Sequence, residues 1–228
     1  MFKVKIFTLA VLFCSCATRV SSKDDIAYRY RAHEKEVFKP DRTISKKTVV
    51  LDPGHGGLDI GACCNRIQEK DLCLKVAKLL RDNLENQNIN VIMTRERDEY
   101  ITLKKRVKLA NDHKVELFVS LHMNSSSNKE ASGIEIYYFP QKNHKWRLER
   151  SKNIAQRTLY HLINASSSKS RGVKPGNFCV IRETKMPAIL VECGFITNEF
   201  ESKKLKSDEY LHILAASMAR SIKNYFIM

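Results

Sequence analysis

The chain has 228 residues and a formal net charge of +15, from 40 Lys and Arg against 25 Asp and Glu. That length suits one domain with a sizeable core, at roughly 100 to 200 residues per domain, and no internal repeat argues for more. The charge points to an anionic partner, but no RNA-binding or helix-turn-helix signature accompanies it and the N-terminus reads as an export signal, which excludes nucleic acid in favour of an anionic cell envelope.

Residues 1–22 read as a secretory signal peptide: Lys3 and Lys5 precede the apolar run Ile6–Phe13, and the small residues Ser15, Cys16 and Ala17 follow. The run is far short of the ~20 residues that span a bilayer as a helix, so the expected product is exported and not membrane-spanning. Cys16 after Ser15 also resembles a bacterial lipoprotein cleavage site, although Phe13 is larger than usual there; lipidation at Cys16 would tether the protein to a membrane. Residues 23–47 are polar, charged and aperiodic, an extended lead-in to a domain over 48–228.

From Thr48 the texture changes. Apolar runs at Thr48–Leu51, Val91–Met93, Leu117–Leu121, Ile134–Phe139 and Ala188–Val191 predict strands, with helical patterns between them. The fold class this implies is α/β, a single twisted and mostly parallel sheet flanked by helices on both faces. The first run ends in Asp52-Pro53-Gly54-His55-Gly56-Gly57, a glycine-rich turn that leaves the His55 imidazole nearly free of neighbouring side chains. The lysine and hydroxyl of a phosphate-binding P-loop are missing, as is the G-x-G-x-x-G spacing.

A helix is predicted from Glu69, with Leu72, Cys73, Val76, Leu79, Leu80 and Leu84 on one stripe. Glu69 lies on the same stripe, and a core-facing carboxylate needs a partner because an unpaired buried charge is costly. A second helix, Leu103–Asn111, leads into the strand Leu117–Leu121, which ends at His122. Strand ends gather at one edge of an open α/β sheet, so His55 and His122 can meet there. The pattern Lys145–Ile163 is helical and residues 164–169 read as a Ser-rich loop. The strand Ala188–Val191 delivers Glu192, and a last helix over Tyr210–Tyr225 is amphipathic.

Two histidines and one carboxylate with an open fourth position form a catalytic zinc ligand set, and a separate glutamate is then available as general base. That combination suits hydrolysis of an amide. The runs "VVLDPGHGGLDIGA", "EKDLCLKVAKLL", "VIMTRERDEYITLKKRVKLAN", "FVSLHMNS", "GIEIYYF" and "MPAILVECGFITN" together resemble the zinc-dependent N-acetylmuramoyl-L-alanine amidases of bacterial cell walls, the Amidase_3 family. The resemblance implies one catalytic Zn2+ held by His55, Glu69 and His122, with Glu192 as the catalytic glutamate. It also implies peptidoglycan as the partner and cleavage of the amide joining muramic acid to L-alanine of the stem peptide, in wall remodelling or cell division. The implied location is the periplasm or cell envelope. Regulated Gram-negative relatives insert a long segment whose helix blocks the zinc after the strand matching Gly133–Phe139; here only the link Pro140–Asn143 intervenes, so no obligatory activator is expected.

Three other readings compete. A zinc carboxypeptidase acting within the stem peptide would use the same metal and glutamate. A serine peptide hydrolase is suggested by Ser166-Ser167-Ser168-Lys169 and Ser126-Ser127-Asn128, although its K-T-G element is absent. A non-catalytic wall-binding module should have lost a ligand or the base, and none is missing. Beyond the signal, Cys63, Cys64, Cys73, Cys179 and Cys193 show no zinc-ribbon spacing and read mostly as small buried hydrophobes.

Overall fold

A computed structural model describes residues 46–64, 66–141 and 143–227. The signal peptide, Cys16 and nearly all of the lead-in lie outside the described residues. Six strands form the main sheet: β1 (Thr48–Pro53), β4 (Asn90–Met93), β5 (Leu117–Asn124), β6 (Ile134–Tyr138), β7 (Ser170–Pro175) and β8 (Ala188–Phe195). Their order is β4-β1-β5-β8-β6-β7. The first four run parallel, β6 is antiparallel to β8, and β7 is parallel to β6. The expected mostly parallel sheet is therefore present.

Strand alternation divides the core. Val49 and Leu51 of β1, Leu117, Val119 and Leu121 of β5, and Ile189 and Val191 of β8 face one cluster. That face is covered by α1 (Glu69–Glu85), α3 (Lys145–Ser166) and α6 (Asp208–Ile227). Leu80, Leu162 and Leu214 are fully buried beneath them; truncating any one to Ala would cost about 2–5 kcal/mol. Val50, Phe118, Ala188 and Leu190 point the other way, against the shorter α2 (Leu103–Asp112) and α4 (Cys179–Glu183).

This second layer does not reach the far end of the strands. On the same face, two residues beyond Val50, Phe118 and Leu190, come Asp52, Ser120 and Glu192, and His122 follows Ser120 by two more. The half-covered face is thus apolar under α2 and α4 and polar where they end.

Several elements depart from the sequence reading. The stretch read as a Ser-rich loop is partly helical: α3 continues to Ser166 and stops where Ser167 enters the left-handed region at φ 53°. The strand β7 then follows. It was illegible because an edge strand held by backbone pairing to β6 alone has no apolar period, and its residues are mostly half-exposed. A hairpin of β2 (Cys63–Cys64) and β3 (Ile67–Gln68) and the short α5 (Glu199–Leu205) also escaped notice. No helix among the described residues is long and apolar enough to cross a membrane.

Candidate metal centre

Beyond Pro53 the chain must turn sharply across the ends of β1 and β5. A Cβ at Gly54 would lie 2.3 Å from His122 Cε1, so only glycine lets the loop approach that ring. His55 itself has φ 59°, a left-handed conformation uncommon outside glycine. Two buried arginines hold it there. Arg95 donates to Pro53 O (3.1 Å), Gly54 O (2.7 Å) and Lys70 O (2.8 Å). Arg106 donates to Pro53 O (2.6 Å) and His55 O (2.6 Å). Three consecutive carbonyls of the turn are therefore fixed by guanidinium groups.

Arg106 is in turn anchored by Asp52, whose Oδ1 accepts from Arg106 Nη1 at 2.8 Å and from Thr94 Oγ1 at 2.7 Å, while Oδ2 accepts from Ser120 Oγ at 2.8 Å. From outside, Asp98 accepts from Gly57 N and from Lys70 Nζ, both at 2.7 Å. None of these supports was assigned from the sequence. A signal existed for Asp52: its alternation with Val50 places a carboxylate inside a buried strand, which demands a cationic partner.

Glu69 opens α1 and reaches over the strand ends. Its Oε1 lies 2.9 Å from His122 Nδ1 and 3.2 Å from His55 Nε2, and accepts from Met123 N at 3.1 Å. Its Oε2 accepts from Ala62 N at 2.8 Å. The two imidazoles meet edge to face, with centroids 5.0 Å apart. Gly61, at φ +65°, closes the cradle: a Cβ there would stand 2.7 Å from both Glu69 Oε2 and His55 Cδ2. Asp59 Oδ1 sits 2.8 Å from His55 Nδ1, so the ring is held from its other nitrogen.

Burial works to raise the Glu69 carboxyl, but hydrogen bonds from His122 and His55 outweigh it and hold the group well below the usual carboxylate range. Burial likewise opposes charge on His55, yet the hydrogen bond and negative charge of Glu69, followed by those of Asp59, raise its pKa. The cluster thus favours a positive charge among these three side chains. One ligand atom from each of His55, Glu69 and His122 lies within 4.8 Å of the others, a set that could hold a metal ion. Glu69 is 6% exposed, against 23% for His55 and 19% for His122, which leaves the imidazoles reachable from solvent.

Glu192 stands in register with His122 on the neighbouring strand. Its Oε2 is buried without a hydrogen-bond partner. Burial pushes this carboxyl up to about 7, opposed by His122 and supported by the negative charges of Glu69 and Glu135. All four residues singled out from the sequence are therefore brought to one end of the sheet. The serine candidates are spent elsewhere: Ser166 Oγ donates to Leu162 O, and Ser168 Oγ is 2.8 Å from Tyr210 OH. Cys73 and Cys193 are buried in the larger core cluster, and all five cysteines are free thiols.

A parallel α/β sheet that gathers two histidines and a carboxylate beside an orphaned glutamate has the architecture of a metal-dependent hydrolase. Residues 49–224 match the Amidase_3 family, described as N-acetylmuramoyl-L-alanine amidase, and the chain belongs to that family. It is 38% identical over 183 residues to the uncharacterized protein YqiI of Bacillus subtilis (strain 168), covering 80% of this chain and 86% of that one. It is 35% identical over 182 residues to the N-acetylmuramoyl-L-alanine amidase CwlM of Bacillus licheniformis, covering 78% and 68%. The crystal structure of an N-acetylmuramoyl-L-alanine amidase from Clostridium difficile 630 superposes with a TM-score of 0.74 at 38% identity, covering 79% of this chain and 96% of that one.

Proposed function

We propose that this protein is a zinc-dependent peptidoglycan amidase that cleaves the amide between N-acetylmuramic acid and the L-alanine of the stem peptide. The observation that carries the reading is the His55, Glu69, His122 cluster with Glu192 alongside, inside a chain of the amidase family. Imidazole and carboxylate donors suit zinc, and three protein ligands leave a fourth position open for chemistry. A bound zinc ion would supply Lewis-acid polarisation and acidify water.

The protein's own groups do the rest. Glu192 Oε2, lacking any partner, accepts the proton of the attacking water and passes it to the departing amine nitrogen. Burial suits it to that task, because a carboxyl near 7 both takes and returns a proton at neutral pH. Asp59 fixes the orientation of the His55 ring through Nδ1. Arg95 and Arg106 hold the turn so that His55 is positioned before anything binds.

Only residues 139–144 separate β6 from α3, which supports activity without an activator. The substrate places the enzyme in the cell envelope, and the basic surface suits attraction to an anionic wall. The test is metal exchange: dialysis against a chelator should abolish muropeptide release, and stoichiometric zinc should restore it. Full activity in chelator-treated protein with no measurable metal would overturn the proposal.

A further inference from the structure

Glu135 is the one polar group beside the cluster that the mechanism leaves unused. It lies on β6 between Ile134 and Ile136, which point into the larger core, so its side chain faces the open half of the sheet. It is paired across to Glu192, which is paired to His122, so these three occupy one row on adjacent strands.

Glu135 cannot act as a base, because its acceptor positions are filled. Oε1 accepts from Asn124 Nδ2 at 2.7 Å and Tyr137 OH at 2.8 Å; Oε2 accepts from Arg171 Nε at 2.9 Å and Lys174 Nζ at 2.5 Å. Burial is outweighed by Lys174, Tyr137 and Arg171, and the carboxyl is held at about 2. One carboxylate therefore meets two cations, where a structural ion pair needs one. The surplus positive charge is not spent on Glu192, whose Oε2 has no partner. The Arg171 and Lys174 side chains are 29% and 37% exposed, and Arg171 is also fixed over the Phe195 ring at 4.8 Å. Two oriented cations thus present free N–H groups to solvent beside the reacting end of the sheet.

Strands lie about 4.8 Å apart, which puts Glu135 and its cations roughly 10 Å along the row from His122. An extended peptide advances about 3.4 Å per residue, so a bound chain cut at the cluster would bring its second or third residue there. In the proposed substrate the lactyl carboxyl is consumed in the amide being cut, so the available anions are carboxylates of the stem peptide. Resting on the amidase reading, we propose that Arg171 and Lys174, oriented by Glu135, form a subsite for a free carboxylate of the stem peptide two or three residues from the cut bond. Glu135 is a positioning residue in this arrangement, and the two cations are the specificity-determining contacts.

The test compares two synthetic peptides beginning with L-alanine, identical in sequence, one with free side-chain and α-carboxylates and one with all of them converted to carboxamides. Binding of each to the full-length mature protein is measured by calorimetry. The unmodified protein should prefer the carboxylate peptide by about tenfold or more, the size of a charge-assisted contact. Lys174→Met and Arg171→Met should each erode that preference while leaving affinity for the carboxamide peptide unchanged, and Lys174→Arg should retain it. Equal affinity for the two peptides in the unmodified protein, or equal weakening of both in the variants, would overturn the subsite. Hydrolysis of whole peptidoglycan by the same preparations reports on the amidase reading separately: a carboxylate preference without hydrolysis would sink the reaction and uphold the subsite.

Discussion

Replacing Glu192 with glutamine should inactivate the enzyme and, in the metal-free state, make it more stable at alkaline pH. In the folded protein burial moves this carboxyl from 4.5 to about 7. Between those values the unfolded chain has released the proton while the folded chain still holds it, so stability falls as pH rises and the loss is complete above the folded value. At ~1.4 kcal/mol per pH unit of displacement, the penalty is about 3 kcal/mol. Glutamine has the same shape and no proton to release. The unpartnered buried atom is present in both side chains, so its cost cancels when the same pair is compared at two pH values. The assay is urea unfolding in chelator at about pH 4 and about pH 8.5, where the stability gap between variant and parent should widen by about 3 kcal/mol. That corresponds to roughly 1–2 M in midpoint at ordinary m-values. With a metal bound the gap should shrink, because a nearby cation favours the ionised carboxylate. A gap that stays constant across pH in the chelated protein would show that Glu192 carries no burial penalty, and the argument for its tuning would fail.

Three further outcomes follow from the same geometry. His55→Ala or His122→Ala should leave a folded protein with little bound zinc and no muropeptide release, whereas Glu192→Gln should keep its zinc; elemental analysis of the purified variants separates ligand from base. Asp59→Asn should preserve the fold but weaken metal affinity by about 10- to 100-fold, the usual consequence of losing a carboxylate behind a ligating histidine, as read by competition with a chromogenic chelator. Arg106→Met strands the buried Asp52 carboxylate and frees the His55 carbonyl, so unfolding should show a loss of about 3–5 kcal/mol, and a loss below 1 kcal/mol would mean the clamp contributes little.

The sequence made the catalytic end of the molecule legible because each of its groups breaks a local pattern. His122 and Glu192 interrupt apolar strands, Glu69 sits on a hydrophobic stripe, and His55 stands among glycines. Such residues conflict with burial unless they meet one another, and at the strand ends they do. The supports were harder to see. Arg95 lies in an irregular segment and Arg106 reads as an ordinary basic helix residue, yet both are buried and point at backbone carbonyls. A hydrogen bond to a carbonyl leaves no trace in the identity of the residue that accepts it. β7 was missed for a related reason, since its placement comes from main-chain pairing with β6 while its side chains, Arg171 and Lys174 among them, look like those of a solvated loop.

The central claim is that His55, Glu69 and His122 hold a metal with which Glu192 cleaves one particular amide. Mass spectrometry of purified muropeptides after digestion by the zinc-loaded protein tests it most directly, because the masses identify the bond. The expected products are peptide-free disaccharide ending in an intact lactyl carboxyl and stem peptide with a free L-alanine amine. Products shortened only at the carboxyl end of the stem peptide, with the muramic acid amide intact, would contradict the account and place the same residues in a carboxypeptidase.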